Sequence, residues 1–182
     1  RYVSPTLLTN GKSEAFPGLY GPRLQQEFVT SFIKRNKSNP FFIYYPMTLP
    51  HYPFQPSPDS EDWNPERNPR FNETHYFKDM VSYLDKLVGE LIDLLIKEEI
   101  DKNTMLIFTS DNGTDHRIRS LQNGLSIAGA KGKMTNDATH VPFLVRWPAV
   151  VDKNITINGL IDFSDIYATL MDVAGIDGVS QP

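Results

Sequence analysis

The 182 residues carry 18 Lys+Arg against 22 Asp+Glu, a net charge of −4, and 40% of them are hydrophobic. A chain of this size can bury a full core as one domain, and without a basic cluster it is a poor partner for nucleic acid. The absence of cysteine excludes a disulfide framework, a thiolate metal site and a Cys nucleophile within the chain. No apolar stretch approaches the roughly 20 residues that span a bilayer.

The first 20 residues, punctuated by Pro5, Gly11, Pro17 and Gly18, read as irregular. A helix of about four turns follows in "GPRLQQEFVTSFIKRNK", with proline in its first turn and Leu24, Phe28, Phe32 and Ile33 on one face. Phe41 to Tyr45, an aromatic and β-branched run between prolines, reads as a buried strand. Residues 46–72, rich in proline, form a long loop of the kind that carries function or stays disordered.

From residue 74 to 98 the apolar positions, Leu84, Leu87, Leu91 and Leu95 among them, recur at helical spacing and predict a long amphipathic helix. "NTMLIFTS" (residues 103–110) and "HVPFLVRWP" (residues 140–148) predict two more buried strands, at about 104–110 and 141–147, separated by a glycine-dotted segment. Last come a short strand in "ITIN" and a helix that Asp162 or Ser164 can cap and Gly175 can stop. Helices alternating with apolar strands predict an α/β layer whose sheet is mainly parallel and flanked by helices.

In such sheets ligands gather at the carboxyl ends of the strands. Asp111 and Asn112 follow the second strand and offer a carboxylate and an amide carbonyl, the hard oxygens that calcium or magnesium takes. Asp-Asn-Gly is equally an ordinary turn signal, and a divalent cation wants about six oxygens, so further ligands must come from elsewhere. Lys131, between Gly129 and Gly132, can offer its ammonium to a sulfate or phosphate oxygen. His51 lies between Pro50 and Tyr52-Pro53, where restricted backbone suits an imidazole held in one direction. His116 and Arg117 follow the Asp-Asn turn and His140 precedes the last strand, each placed to line a pocket, while His75 reads as solvent-facing or packed.

Taken together, "PFFIYYPMTLPHYPF", "YFKDMVSYLDKLVGELIDLL", "NTMLIFTSDNGT", "GAKGKMTNDATHVPFLVRWP" and "LIDFSDIYATLMDVAGI" resemble the sulfatase family, in order and over about residues 21–177. The resemblance implies an alkaline-phosphatase-like fold, metal ligation by Asp111 and Asn112, and sulfate contacts from His51 and Lys131. It implies calcium, with magnesium the alternative, and a sulfated small molecule or carbohydrate as substrate. His116 and His140 join the expected substrate-binding set.

The nucleophile of sulfatases is a formylglycine made in a C/S-x-P-x-R motif, and no such motif occurs here. Nor do the family's first two metal aspartates. The resemblance therefore implies an incomplete domain that lacks its N-terminal, nucleophile-bearing portion, its partner in forming the site. Two positions depart from the family pattern: Thr135-Asn136-Asp137-Ala138 stands where "YEGG" is frequent, and His140 where an arginine is usual. The rival readings are a metal-dependent phosphatase or phosphodiesterase of the same superfamily, and a binding module that kept the fold without catalysis.

Overall fold

The spacing of Tyr76, Met80, Tyr83, Leu87, Leu94 and Leu95 gives one apolar stripe along a 22-residue helix, and all six are buried. The computed structural model describes residues 2–66 and 72–176. They fall into two units, Arg1–Val151 and Asp152–Pro182. The first holds β1 (Thr6–Thr9), β2 (Lys12–Ala15), α1 (Gly21–Asn36), α2 (Tyr76–Lys97), β3 (Leu106–Thr109), β4 (Arg119–Gln122), β5 (Leu125–Ala128), the short α3 (Asn136–Thr139) and β6 (Phe143–Arg146).

Two clusters share α2. Its N-terminal half packs with Tyr2, Val3, Tyr20, Leu49, Phe54 and Ile118. Its C-terminal half packs with Val29 and Ile33 of α1 and, half-buried, Phe41, Ile43, Tyr45 and Leu106. Arg23 of α1 grips the Glu90 carboxylate through both terminal nitrogens, at 2.6 and 3.0 Å, while its Nε donates to the Tyr83 hydroxyl. Gln26, buried on α1, donates to the Leu87 carbonyl. The buried face of α1 is therefore Pro22, Gln26, Val29 and Ile33, and Phe28, expected to face the core, is 52% exposed.

The expected parallel sheet is not what the strands form. β3 and β6 pair antiparallel, Thr109 opposite Phe143 and Leu106 opposite Arg146. A parallel pair needs a crossover, usually a helix, to carry the chain back to the starting edge. The 33 residues between β3 and β6 contain only the β4–β5 hairpin and the four-residue α3, so the chain returns from the end at which it left.

The expected strand Phe41–Tyr45 is absent as well. Its burial alternates as a strand's would, with Phe42 68% and Tyr44 80% exposed, but no hydrogen-bonding neighbour lies beside it among the described residues. A strand exists only by pairing. The same holds for "ITIN", where Ile155 and Ile157 are exposed and unpaired.

Two hairpins form, one in the first 20 residues, expected to be irregular, and one in the glycine-dotted segment 111–139. In each, an Asn-Gly pair takes positive φ, 50° and 79° at Asn10-Gly11 and 51° and 79° at Asn123-Gly124, the turn that matches strand twist. Residues 46–66 of the long loop are held by packing, with Phe54 and Ser57 almost wholly buried; residues 67–71 of it lie outside the described residues.

The second unit contains α4 (Phe163–Val173), whose start is a capping box: the Asp162 carboxylate accepts from the Ser164 amide and the Asp165 carboxylate from the Asp162 amide. Gly175, at φ 65°, ends it as expected.

Leu87 is fully buried where α1 and the first cluster meet α2. Leu87→Ala should lower unfolding stability by about 2 to 5 kcal/mol, read from the denaturant midpoint. Leu91, only half-buried, should cost less on the same substitution.

Candidate functional site

Antiparallel pairing puts the carboxyl end of β3 and the amino end of β6 together, so residues 110–142 leave and return at one edge. The Asp111–Asn112 turn starts there. The Ser110 hydroxyl donates to the Asn112 carbonyl across it at 2.9 Å. Gly113 then runs flush against the start of α3: its amide donates to the Ala138 carbonyl, and a Cβ on it would collide with the Asp137 carbonyl oxygen. Only glycine fits, which explains the Asp-Asn-Gly sequence locally.

Lys131 is tied to this turn through the backbone. Its amide donates to the Thr114 carbonyl at 3.0 Å, three residues beyond Asp111. Gly129 bonds back to Ile118 and presses against the Asp115 carbonyl with no room for a side chain. Among the described residues the Lys131 ammonium makes no ion pair or side-chain hydrogen bond.

His51 approaches from a different loop. Its Nδ1 lies 2.6 Å from the Tyr52 carbonyl. A carbonyl only accepts, so Nδ1 carries the proton and Nε2 is the nitrogen available to a ligand. The Tyr2 phenol donates to the carbonyls of Thr48 and His51; burial pushes its pKa far up, which keeps it a donor. Leu49 and Phe54, on either side of the histidine, are anchored in the first core cluster.

The two loops meet at Arg117. Its guanidinium lies 3.7 Å over the Tyr52 ring, while its Nε and one terminal nitrogen bind both oxygens of Asp115 at 2.9 and 2.7 Å. His116 is 67% exposed in its side chain, with Nδ1 3.7 Å from the Asp115 carboxylate. His140 is exposed, its backbone bonded to Asn136 at the end of α3. His75 lies at the start of α2, its ring tilted against that of Tyr76 and its Nδ1 3.3 Å from the Glu73 carboxylate, away from these loops in the chain.

Asp115 was missed by the sequence reading. An Asp two residues before an Arg is unremarkable as a pattern, and only the fold shows that the pair bears on a tyrosine 65 positions away.

Asp111 and Asn112 are oxygen donors of the kind calcium or magnesium takes. Among the described residues no three His, Asp or Glu side chains gather closely enough to hold a metal ion. The donor chemistry fits the metal, and the number of donors is short.

The Arg117 hydrogen bonds hold the Asp115 carboxyl well below the usual carboxylate range. A carboxylate whose pKa is lower folded than unfolded stabilises the fold above its unfolded value of about 3.9 and loses that contribution as the pH falls toward the folded value. The gap in Tm between the wild type and Asp115→Asn should therefore be constant near neutrality and narrow below about pH 4. A gap that stays constant from pH 7 to pH 2 would show that the ion pair adds nothing to stability.

A family model described as Sulfatase matches residues 13–176. The N-acetylgalactosamine-6-O-sulfatase of Bacteroides thetaiotaomicron is 32% identical over 153 residues, a match covering 77% of this chain and 28% of that protein. Arylsulfatase H of Homo sapiens is 26% identical over 155 residues, covering 80% of this chain and 25% of that protein. Among solved structures, Ps i-CgsB in complex with k-i-k-neocarrahexaose has a TM-score of 0.77 at 25% identity, over 96% of this chain and 38% of that one. The chain thus spans well under half the length of each of these relatives. With its mixed α/β arrangement shared with sulfatase structures and the family model matched over nearly all its length, the chain belongs to the sulfatase family.

Proposed function

We propose that the protein containing this chain hydrolyses sulfate esters of carbohydrates with a divalent metal, and that this chain supplies one part of the active site. The observation that carries the reading is the bond from the Lys131 amide to the Thr114 carbonyl, which sets a cationic loop against a turn bearing two hard oxygen donors. The carbohydrate class follows from the relatives: one is a sulfatase of an amino sugar, and the solved neighbour holds a neocarrahexaose.

Each residue has a role that the chemistry of a sulfate ester requires. The ester is anionic and repels a nucleophile, so positive charge at its oxygens lowers the barrier. Lys131 supplies such charge directly. Asp111 and Asn112 would hold calcium, or magnesium, with further ligands from outside this chain; the ion, when bound, supplies charge stabilisation at the sulfate oxygens. His51, with Nδ1–H committed to the Tyr52 carbonyl, presents Nε2 to bind a sulfate oxygen or, when protonated, to donate to the leaving alcohol oxygen. His116 and His140, exposed on the loops after β3 and before β6, would contact the sugar. The nucleophile, a formylglycine by family, belongs to an N-terminal portion of the same domain.

In the full-length protein, Asp111→Ala should abolish turnover of a sulfated sugar, and Lys131→Ala should lower it by about 10²-fold or more. Phosphate esters of the same sugar should turn over far more slowly; the reverse preference would favour the phosphatase reading. Wild-type rates in Lys131→Ala would reduce that lysine to a solvated loop residue. The isolated 182 residues should bind calcium only weakly by calorimetry, since two oxygens fall short of the about six that calcium wants.

A further inference from the structure

We propose that Asp115, Arg117 and Tyr52 form a clamp that positions His51 relative to the Asp111–Asn112 turn, making Arg117 a positioning residue for the reaction. The inference rests on the sulfatase reading only for its consequence on turnover; the clamp itself stands on geometry.

Tyr52 is the joint. Its backbone carbonyl accepts the His51 Nδ1 proton and so fixes the tautomer and direction of the imidazole. Its ring is covered by the Arg117 guanidinium at 3.7 Å, its hydroxyl accepts from the Asn72 amide at 2.8 Å, and the Phe54 ring meets it edge-on at 5.9 Å. Whatever holds the ring also holds the carbonyl that orients His51.

Arg117, in turn, is not a free surface arginine. Its backbone amide, Nε and one terminal nitrogen all donate to the Asp115 carboxylate, which is 17% exposed. Asp115 lies four residues after Asp111, and the segment between them is pinned to Ala138 and Lys131 by backbone bonds. A rigid line therefore runs from the proposed metal turn through Asp115, Arg117 and Tyr52 to the imidazole. The planar fork matters, because two of its nitrogens meet the two carboxylate oxygens while the same flat group covers the ring, a fixed geometry that a point-charge ammonium on a flexible stem does not have.

The test uses the full-length protein with 15N-labelled histidine, whose ring nitrogens report by NMR which of them is protonated. Wild type should show His51 as the Nδ1–H tautomer, Arg117→Ala a mixture of tautomers, and Arg117→Lys an intermediate pattern that serves if the alanine variant does not fold. With a sulfated sugar, Arg117→Ala should lower kcat about 10- to 100-fold with KM nearly unchanged, and in a His51→Gln background it should cause no further loss. An unchanged His51 signature in Arg117→Ala, or a full additional loss in the His51→Gln background, overturns the clamp. A signature that changes while His51→Gln keeps wild-type turnover supports the clamp and overturns instead the role of His51 in the reaction.

Discussion

The buried face on the N-terminal half of α2 is the constraint on which the rest depends. Met80, Tyr83 and Leu87 share a cluster with Leu49 and Phe54, which bracket His51, and with Ile118, which follows Arg117. Leu49, Phe54 and Ile118 thereby fix the roots of the loops that carry His51 and Arg117 against α2, and burial of that many side chains stabilises the arrangement far beyond any single polar contact across the loops. The polar contacts then refine what the core has already brought close: Tyr2 on the His51 carbonyl, Arg117 on Tyr52, and the Lys131 amide on Thr114.

What was legible in the sequence followed from periodicity and local chemistry. The 3.6-residue stripe of α2 and the Asp162 cap of α4 are local facts, and they stand where expected. Strand direction was not legible, because β3 and β6 read as equally apolar whichever way they run; the absence of a helix between them was the available clue. The two Asn-Gly hairpins were legible and were passed over, since glycine-rich segments read as loops unless the flanking four residues on each side are weighed as strands. Phe41–Tyr45 has a strand's alternation, yet whether it pairs depends on chain that lies beside it in space, which a local pattern does not contain.

The candidate site shows the same division. Asp111, Asn112, Lys131 and His51 are chemically conspicuous and were singled out by type and by family resemblance. Asp115 and Tyr52 are conspicuous only in three dimensions. Arg117 links them across a 65-position separation from Tyr52 that the core closes, and no spacing rule applies at that distance.

Charge balance separates the two cations at this edge. Arg117 is already matched by a carboxylate that binds it through three nitrogens, so drawing an anion to it would mean competing with Asp115. Lys131 has no such counter-ion among the described residues, and its position is set by its backbone amide, so its ammonium is left for something else. In a chain of net charge −4, a half-buried lysine with no ion pair among the described residues is suited to the role proposed for it, receiving an anionic ester. In the proposed reading one cation keeps the loops in register and the other is left for the anionic ester, and the two residue types are not interchangeable: a lysine at 117 would lack the planar fork that holds both Asp115 oxygens while covering the Tyr52 ring.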